Sequence, residues 1–176
     1  PLLEHLPDLP CLLIDTRGHG ASTLGDTQLS YRRLATDVAA VLDACELEAP
    51  IVVGHSDGGI AALRLALAHP ERVSGIVTLA ADAEPPEASV IEMLYAPLTV
   101  ERWKERHGDG VALYQSLNPE PDFPRLFEAL KRMWTDTGTG NYPGNAVAGI
   151  DVPSLVLGGD ADLLVPTAAT TALADA

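Results

Sequence analysis

Apolar positions in this chain come in short clusters whose spacing changes along its length. Cys11-Leu-Leu-Ile-Asp15 is a run of strand length, followed by a glycine-punctuated polar loop, Thr16-Arg-Gly-His-Gly-Ala-Ser-Thr23. Over about residues 30–47 the period lengthens to that of a helix. Leu34, Val38, Val41, Leu42 and Cys45 share one face, with Arg33, Asp37, Asp43 and Glu46 elsewhere. Ile51-Val-Val53 behind Pro50 reads as a buried strand of a parallel sheet. Residues 60–68 read as a buried helix stopped by His69-Pro70, and residues 73–79 as the next strand. Strand, helix, strand, helix, strand predicts an α/β fold, a mostly parallel sheet with helices on both faces.

That rhythm breaks over residues 84–149, which carry no strong strand signal and are divided by Pro85-Pro86, Pro97, Pro119, Pro121 and Pro124. A helix is expected over residues 122–134, with Asp122 as its N-cap and a stripe of Leu126, Phe127, Leu130, Met133 and Trp134. The stripe reads as packing rather than as a cofactor box. Helices inserted after a strand end often form a lid over a site. The expected organisation is therefore a core of residues 1–83 and 150–176 with a helical cap over 84–149. The sheet resumes at 152–158, a loop Gly159-Asp-Ala-Asp162 follows, and a last helix starts near Pro166.

Composition narrows the partners. At 176 residues the chain can bury one substantial core. Its net charge of −14 argues against nucleic acid or an anionic membrane, because such binding rests on clustered Lys and Arg. No apolar run approaches a membrane span. Cys11 and Cys45 have no metal-like spacing and read as reduced, small core residues of a cytoplasmic protein. No His/Cys/Asp cluster has ligand spacing, so neither metal nor cofactor is implied. Oligomeric state has no signature in the sequence.

The chemistry concentrates at Gly54-His-Ser-Asp-Gly58, a Gly-x-Ser-x-Gly pattern between the apolar strand and the apolar helix. A sharp strand-to-helix turn there lifts a serine hydroxyl clear of the sheet, and glycine on both sides relieves the crowding of strained backbone. The amide of Asp57, first in the helix, can face developing negative charge as an oxyanion donor. The plainer reading is a glycine-rich turn with an incidental serine. A phosphate loop lacks support, because neither G-x-G-x-x-G nor G-K-[ST] is present. An activated serine also needs a base and an acid at the carboxyl ends of parallel strands, and Asp162 meets that condition.

With these segments in view, the chain resembles the α/β-hydrolase family. The matching pieces are Leu13-Ile-Asp-Thr-Arg-Gly-His-Gly20 with Ser22, Gly54-His-Ser-Asp-Gly-Gly59, His69-Pro-Glu-Arg-Val73 and Val152-Pro-Ser-Leu-Val-Leu-Gly-Gly-Asp-Ala-Asp162. The resemblance implies Ser56 as nucleophile and Asp162 as triad acid, in the family's order. Asp160 would bond to the loop backbone, and Asp82 stands where a minority of the family keeps its acid. The Ser-Asp-Gly-Gly elbow is similar to the valacyclovirase-like branch, in which the Asp57 carboxylate would recognise a substrate ammonium; its alternative role is charge complementarity at the helix start. Trp103 and Trp134, in the cap, are expected to line the substrate pocket with Asp57.

The sequence departs from the family in one respect that bears on activity. A helix of ~11 residues, a strand of ~5 and two connections should separate the acid from the triad histidine, about 20 residues or more. Only 14 residues follow Asp162, and none is histidine. The front reads as short as well, since Pro1-Leu-Leu-Glu-His5 looks like the tail of a helix, and the expectation is that the early strands, with their His-Gly loop, are missing from these residues. His55, His19 and His107 are weak substitutes, His107 being able to hang over the cleft from the insertion. The expectation is a serine hydrolase of small esters, amides or lactones in incomplete form. The alternatives are a degenerate, inactive fold that binds a ligand, or a lyase or perhydrolase using the same serine.

Overall fold

The computed structural model describes residues 2–5 and 8–176. Leu2–His5 forms a 3-10 turn, and Pro1 lies outside the described residues. Three parallel strands form the sheet in the order β1 (Ile51–His55), β2 (Gly75–Leu79), β3 (Ser154–Leu157). Ile51 faces Gly75 and Ile76 faces Ser154, so the strands run in step toward one carboxyl end.

Helix α1 (Tyr31–Ala44) starts where Ser30 accepts a hydrogen bond from the Arg33 amide at 3.1 Å, a side-chain N-cap. It buries Leu34, Ala35, Ala39 and Leu42 against α2 (Asp57–Ala68). Because α2 is alanine- and leucine-rich, it packs closely on both α1 and the sheet, and Leu65 is fully buried between them. Leu173 of α6 (Thr167–Ala174) joins the same core.

The core occupies one face of the sheet, that of Val52, Ile76, Thr78 and Val156. On the other face Ile51 is 64% exposed, Val53 58% and Leu155 53%. A strand exposes alternate residues to alternate faces, so one uncovered layer leaves every second apolar residue in water. The sequence reading of β1 as buried therefore holds for one of its faces only.

Residues 11–15 form no strand, contrary to expectation, and Leu12 and Leu13 are exposed. A strand exists only as part of a ladder, and no described segment pairs with this one. The two cysteines are also corrected: both are free and exposed, because Cys45 caps the end of α1 one residue past its last turn.

Residues 84–149 form helices joined by irregular turns, with no strand among them. A short α3 (Ala88–Val90) widens into a π turn over Ile91–Tyr95, then come α4 (Val100–Leu117) and α5 (Phe123–Thr135). The Asp122 cap forms as expected, accepting from the Arg125 amide at 3.0 Å. Leu126, Phe127, Leu130 and Met133 are buried, so the apolar stripe is packing. Helix α4 carries no clear sequence signal and is broken at His107, where φ is −128° and ψ is 33°.

Candidate active site

Ser56 stands at the junction of β1 and α2, in the left-handed half of backbone space at φ 52°, ψ −120°. A residue with a Cβ is strained there, and such strain persists only when the surroundings over-determine it. Here the Ser56 amide donates to the Leu79 carbonyl at 2.8 Å, tying the turn to β2. The Ser56 carbonyl takes the first helical bonds, from Gly59 at 2.8 Å and Ile60 at 3.1 Å. The hydroxyl is exposed and makes no hydrogen bond to the described residues.

Close packing at the turn falls on Gly54 and Gly59. A Cβ on Gly54 would run into the Gly58 carbonyl, and one on Gly59 would sit 2.6 Å from the Ala81 methyl. Gly58 looks onto open space, so the second glycine that packing demands lies one position later than the motif reading placed it. As the first residue of α2, Asp57 has no intrahelical acceptor for its N–H, which leaves that dipole available beside the serine hydroxyl.

The serine opens on a pocket of about 400 Å³ at the carboxyl end of the sheet. Asp57, Trp103 and Trp134 line it, as does His107. Asp162 is not itself in the lining, but its neighbours Leu164 and Val165 are. The Oδ1 of Asp162 accepts from the amides of Leu164 at 2.8 Å and Val165 at 3.0 Å, while Oδ2 takes no bond from the described residues. These two amides, chiefly Val165, hold the carboxyl below its ordinary pKa, and the nearby His55 adds to the effect. Asp162, rather than Asp160, thus bonds to the loop backbone.

The remaining candidates separate by position. His55 is exposed on the open side of the sheet. His19 is held in its loop by the Thr16 hydroxyl and the Arg17 carbonyl, each 3.2 Å away, a structural role. Asp82 lines the pocket and accepts from the Glu84 amide at 3.0 Å. Among the described residues no group of His, Cys, Asp and Glu could hold a metal ion.

Tyrosines 31, 95 and 142 also line the pocket and had no local signal in the sequence. Tyr31 donates to Asp57 Oδ1 at 2.8 Å, and Trp134 Nε1 donates to Oδ2 at 2.8 Å. Burial, reinforced by the Asp57 charge, raises the Tyr31 phenol far above its usual value. Burial raises Tyr142 and Tyr95 too, so all three are neutral donors or acceptors at ordinary pH.

A parallel sheet with a serine raised on a strained strand-to-helix turn, opening on a pocket at the carboxyl strand ends, defines a class of fold and site. The chain belongs to the alpha/beta hydrolase fold family, whose model matches residues 1–111. The protein named carbamate hydrolase RutD, of Azorhizobium caulinodans, is 31% identical over 189 residues, covering 93% of this chain and 68% of its own length. Lipase LipV of Mycobacterium tuberculosis is 37% identical over 44% of this chain and 30% of its own. Among solved structures, Est816, described as an N-acyl homoserine lactone degrading enzyme, superposes with a TM-score of 0.63 at 30% identity. That match covers 91% of this chain and 68% of Est816. A lipase-esterase related protein of Clostridium acetobutylicum shares the fold, with a TM-score of 0.70 at 19% identity over 99% of this chain and 73% of its own. The chain spans between 28 and 68% of the curated relatives named for a synthase, a lipase and RutD.

Proposed function

We propose that the protein is a serine hydrolase of small carboxylic esters, amides or lactones. The observation that carries this reading is Ser56 itself. Its backbone is strained at φ 52°, its hydroxyl takes no bond among the described residues, and it opens on a pocket beside the Asp162 loop. Relatives named for a carbamate, a lipid ester and an acyl lactone support the substrate class, since all are carbonyl compounds with a departing oxygen or nitrogen.

In the proposed reaction Ser56 Oγ attacks the carbonyl carbon and passes its proton to an imidazole. The base is a histidine of the whole protein, oriented by Asp162 Oδ2, as in the family's triad. The tetrahedral oxyanion faces the Asp57 N–H, and hydrogen bonding there is stronger in the transition state than in the ground state. The leaving group takes the proton, and water then attacks the acyl–serine ester to release the acid and restore Oγ–H. Trp103 and Trp134 form a wall for the acyl group. Residues 84–149 act as a cap on a core of 1–83 and 150–176, and the free, exposed thiols of Cys11 and Cys45 fit a reducing cytoplasm.

The test is hydrolysis of p-nitrophenyl acetate by the whole protein. Ser56→Ala is expected to remove at least about 10³-fold of kcat/KM. Retained turnover in that variant would reject Ser56 as nucleophile. An inactive wild type would favour a ligand-binding module on the same fold.

A further inference from the structure

The Asp57 carboxylate stands beside the nucleophile, yet both its oxygens are engaged by neutral donors from two other elements. Tyr31, the first residue of α1 and only 1% exposed, holds Oδ1 at 2.8 Å. Trp134, near the end of α5, holds Oδ2 at 2.8 Å. The links continue around a ring. The Tyr142 hydroxyl donates to the Trp134 carbonyl at 2.9 Å and lies 3.3 Å from the Tyr31 hydroxyl, and the two phenol rings meet edge to face at 4.8 Å. The backbone repeats the connection. The Tyr31 amide donates to Asn141 Oδ1 at 2.9 Å, and Arg64 of α2 holds the carbonyls of Asn141 and Tyr142.

Hydrogen bonds to an ionised acceptor are stronger than neutral ones and fix direction as well as distance. One carboxylate therefore pins the elbow helix to α1 and to α5. The indole it holds is the middle of a row of rings. Trp134 stacks on Trp103 at 5.9 Å with a 29° tilt and lies 6.0 Å from Tyr95, and all three line the serine pocket. Each Asp57 oxygen already receives one neutral donor, so about half of the carboxylate's roughly four acceptor sites are committed to the tyrosine and the indole.

We propose that the Asp57 side chain is a positioning and specificity-determining residue. By holding the Trp134 indole it sets an aromatic wall for the substrate's acyl group, so the site takes flat or bulky apolar acyl chains and the carboxylate serves that wall rather than a substrate ammonium. This deepens the proposed hydrolase reading and rests on it.

Whole protein is assayed as wild type, Asp57→Asn and Tyr31→Phe, with acetyl, phenylacetyl, propanoyl and alanyl p-nitrophenyl esters. The phenylacetyl-to-acetyl ratio of kcat/KM is expected to fall roughly tenfold in Asp57→Asn, mainly through KM, the loss of one charged hydrogen bond. Tyr31→Phe, which removes one hydroxyl and serves if Asp57→Asn fails to fold, moves the ratio the same way. The alanyl-to-propanoyl ratio, which carries the intrinsic activation of the ester by its ammonium, is the same in all three proteins. The Trp134 indole N–H resonance, assigned by its loss in Trp134→Phe, shifts upfield in Asp57→Asn. An alanyl preference in the wild type that vanishes in Asp57→Asn would make Asp57 an ammonium ligand and overturn the proposal, as would an unmoved indole resonance. If the wild type has no esterase activity, the hydrolase reading fails separately. Phenylacetate binding, read by tryptophan quenching, then tests the pin, with about tenfold weaker affinity expected in Asp57→Asn and equal affinity overturning it.

Discussion

The two faces of one three-stranded sheet differ more than any two elements of this chain. On one, Val52, Ile76 and Val156 meet α2 and Leu173 of α6, and the core is closed to water. On the other, Ile51, Val53, Leu79, Leu155 and Leu157 are exposed, although they are equally apolar. The strands are the same; only the covering layer differs. Burial in a sheet is a property of what lies across from each face, and a run such as Ile-Val-Val announces that two layers are wanted without supplying either. The site lies at the carboxyl end of the covered side, where α2, the Asp162 loop and the helical segment close around Ser56.

Substitutions graded by size can break this contrast. The largest effect is expected from Leu65→Ala, which empties a fully buried site and should cost about 2–5 kcal/mol by denaturant unfolding. The matched change on the open face, Leu155→Ala, should cost under about 1 kcal/mol in the 176-residue chain. Equal costs would mean that a further layer covers that face in solution.

A smaller effect follows from Tyr31, whose phenol is held neutral by burial and the Asp57 charge. Its folded-state pKa is raised, so the stability it provides is intact below the unfolded value of roughly 10 and is lost as pH rises beyond it. Relative to Tyr31→Phe, the wild type should lose about 1.4 kcal/mol by pH 11. Parallel pH profiles for the two proteins would contradict the burial of this phenol. The smallest effect outside the open face of the sheet is at the start of α5, where Asp122→Ala removes a cap and should cost about 1 kcal/mol without altering the pocket.

Those grades follow what was legible in the sequence. Helices α1, α2 and α5 were readable because the cap at Asp122, a proline stop at Pro70 and 3.6-residue stripes are local signals. The elbow was readable for the same reason, its glycines and serine being adjacent. Helix α4 was not, since Gly108, Gly110 and a charged surface dilute its periodicity and His107 interrupts it. The segment 11–15 looked like a strand, and its composition is right, but pairing is a contact with something else. The ring of Tyr31, Asp57, Trp134 and Tyr142 joins residues up to 111 positions apart and leaves no mark on any short window. The exposure of Cys45 turned on where α1 stopped, one residue short of the expected end of its stripe.

The central claim is that the strained turn carries an activated serine. The most direct measurement is mass spectrometry of the whole protein after treatment with a fluorophosphonate, with peptide mapping of the adduct. A single phosphonyl adduct on Ser56, absent in Ser56→Ala and lost on prior unfolding, is the predicted result. An unlabelled Ser56 in the folded wild type, or an adduct mapped to another residue, would contradict it.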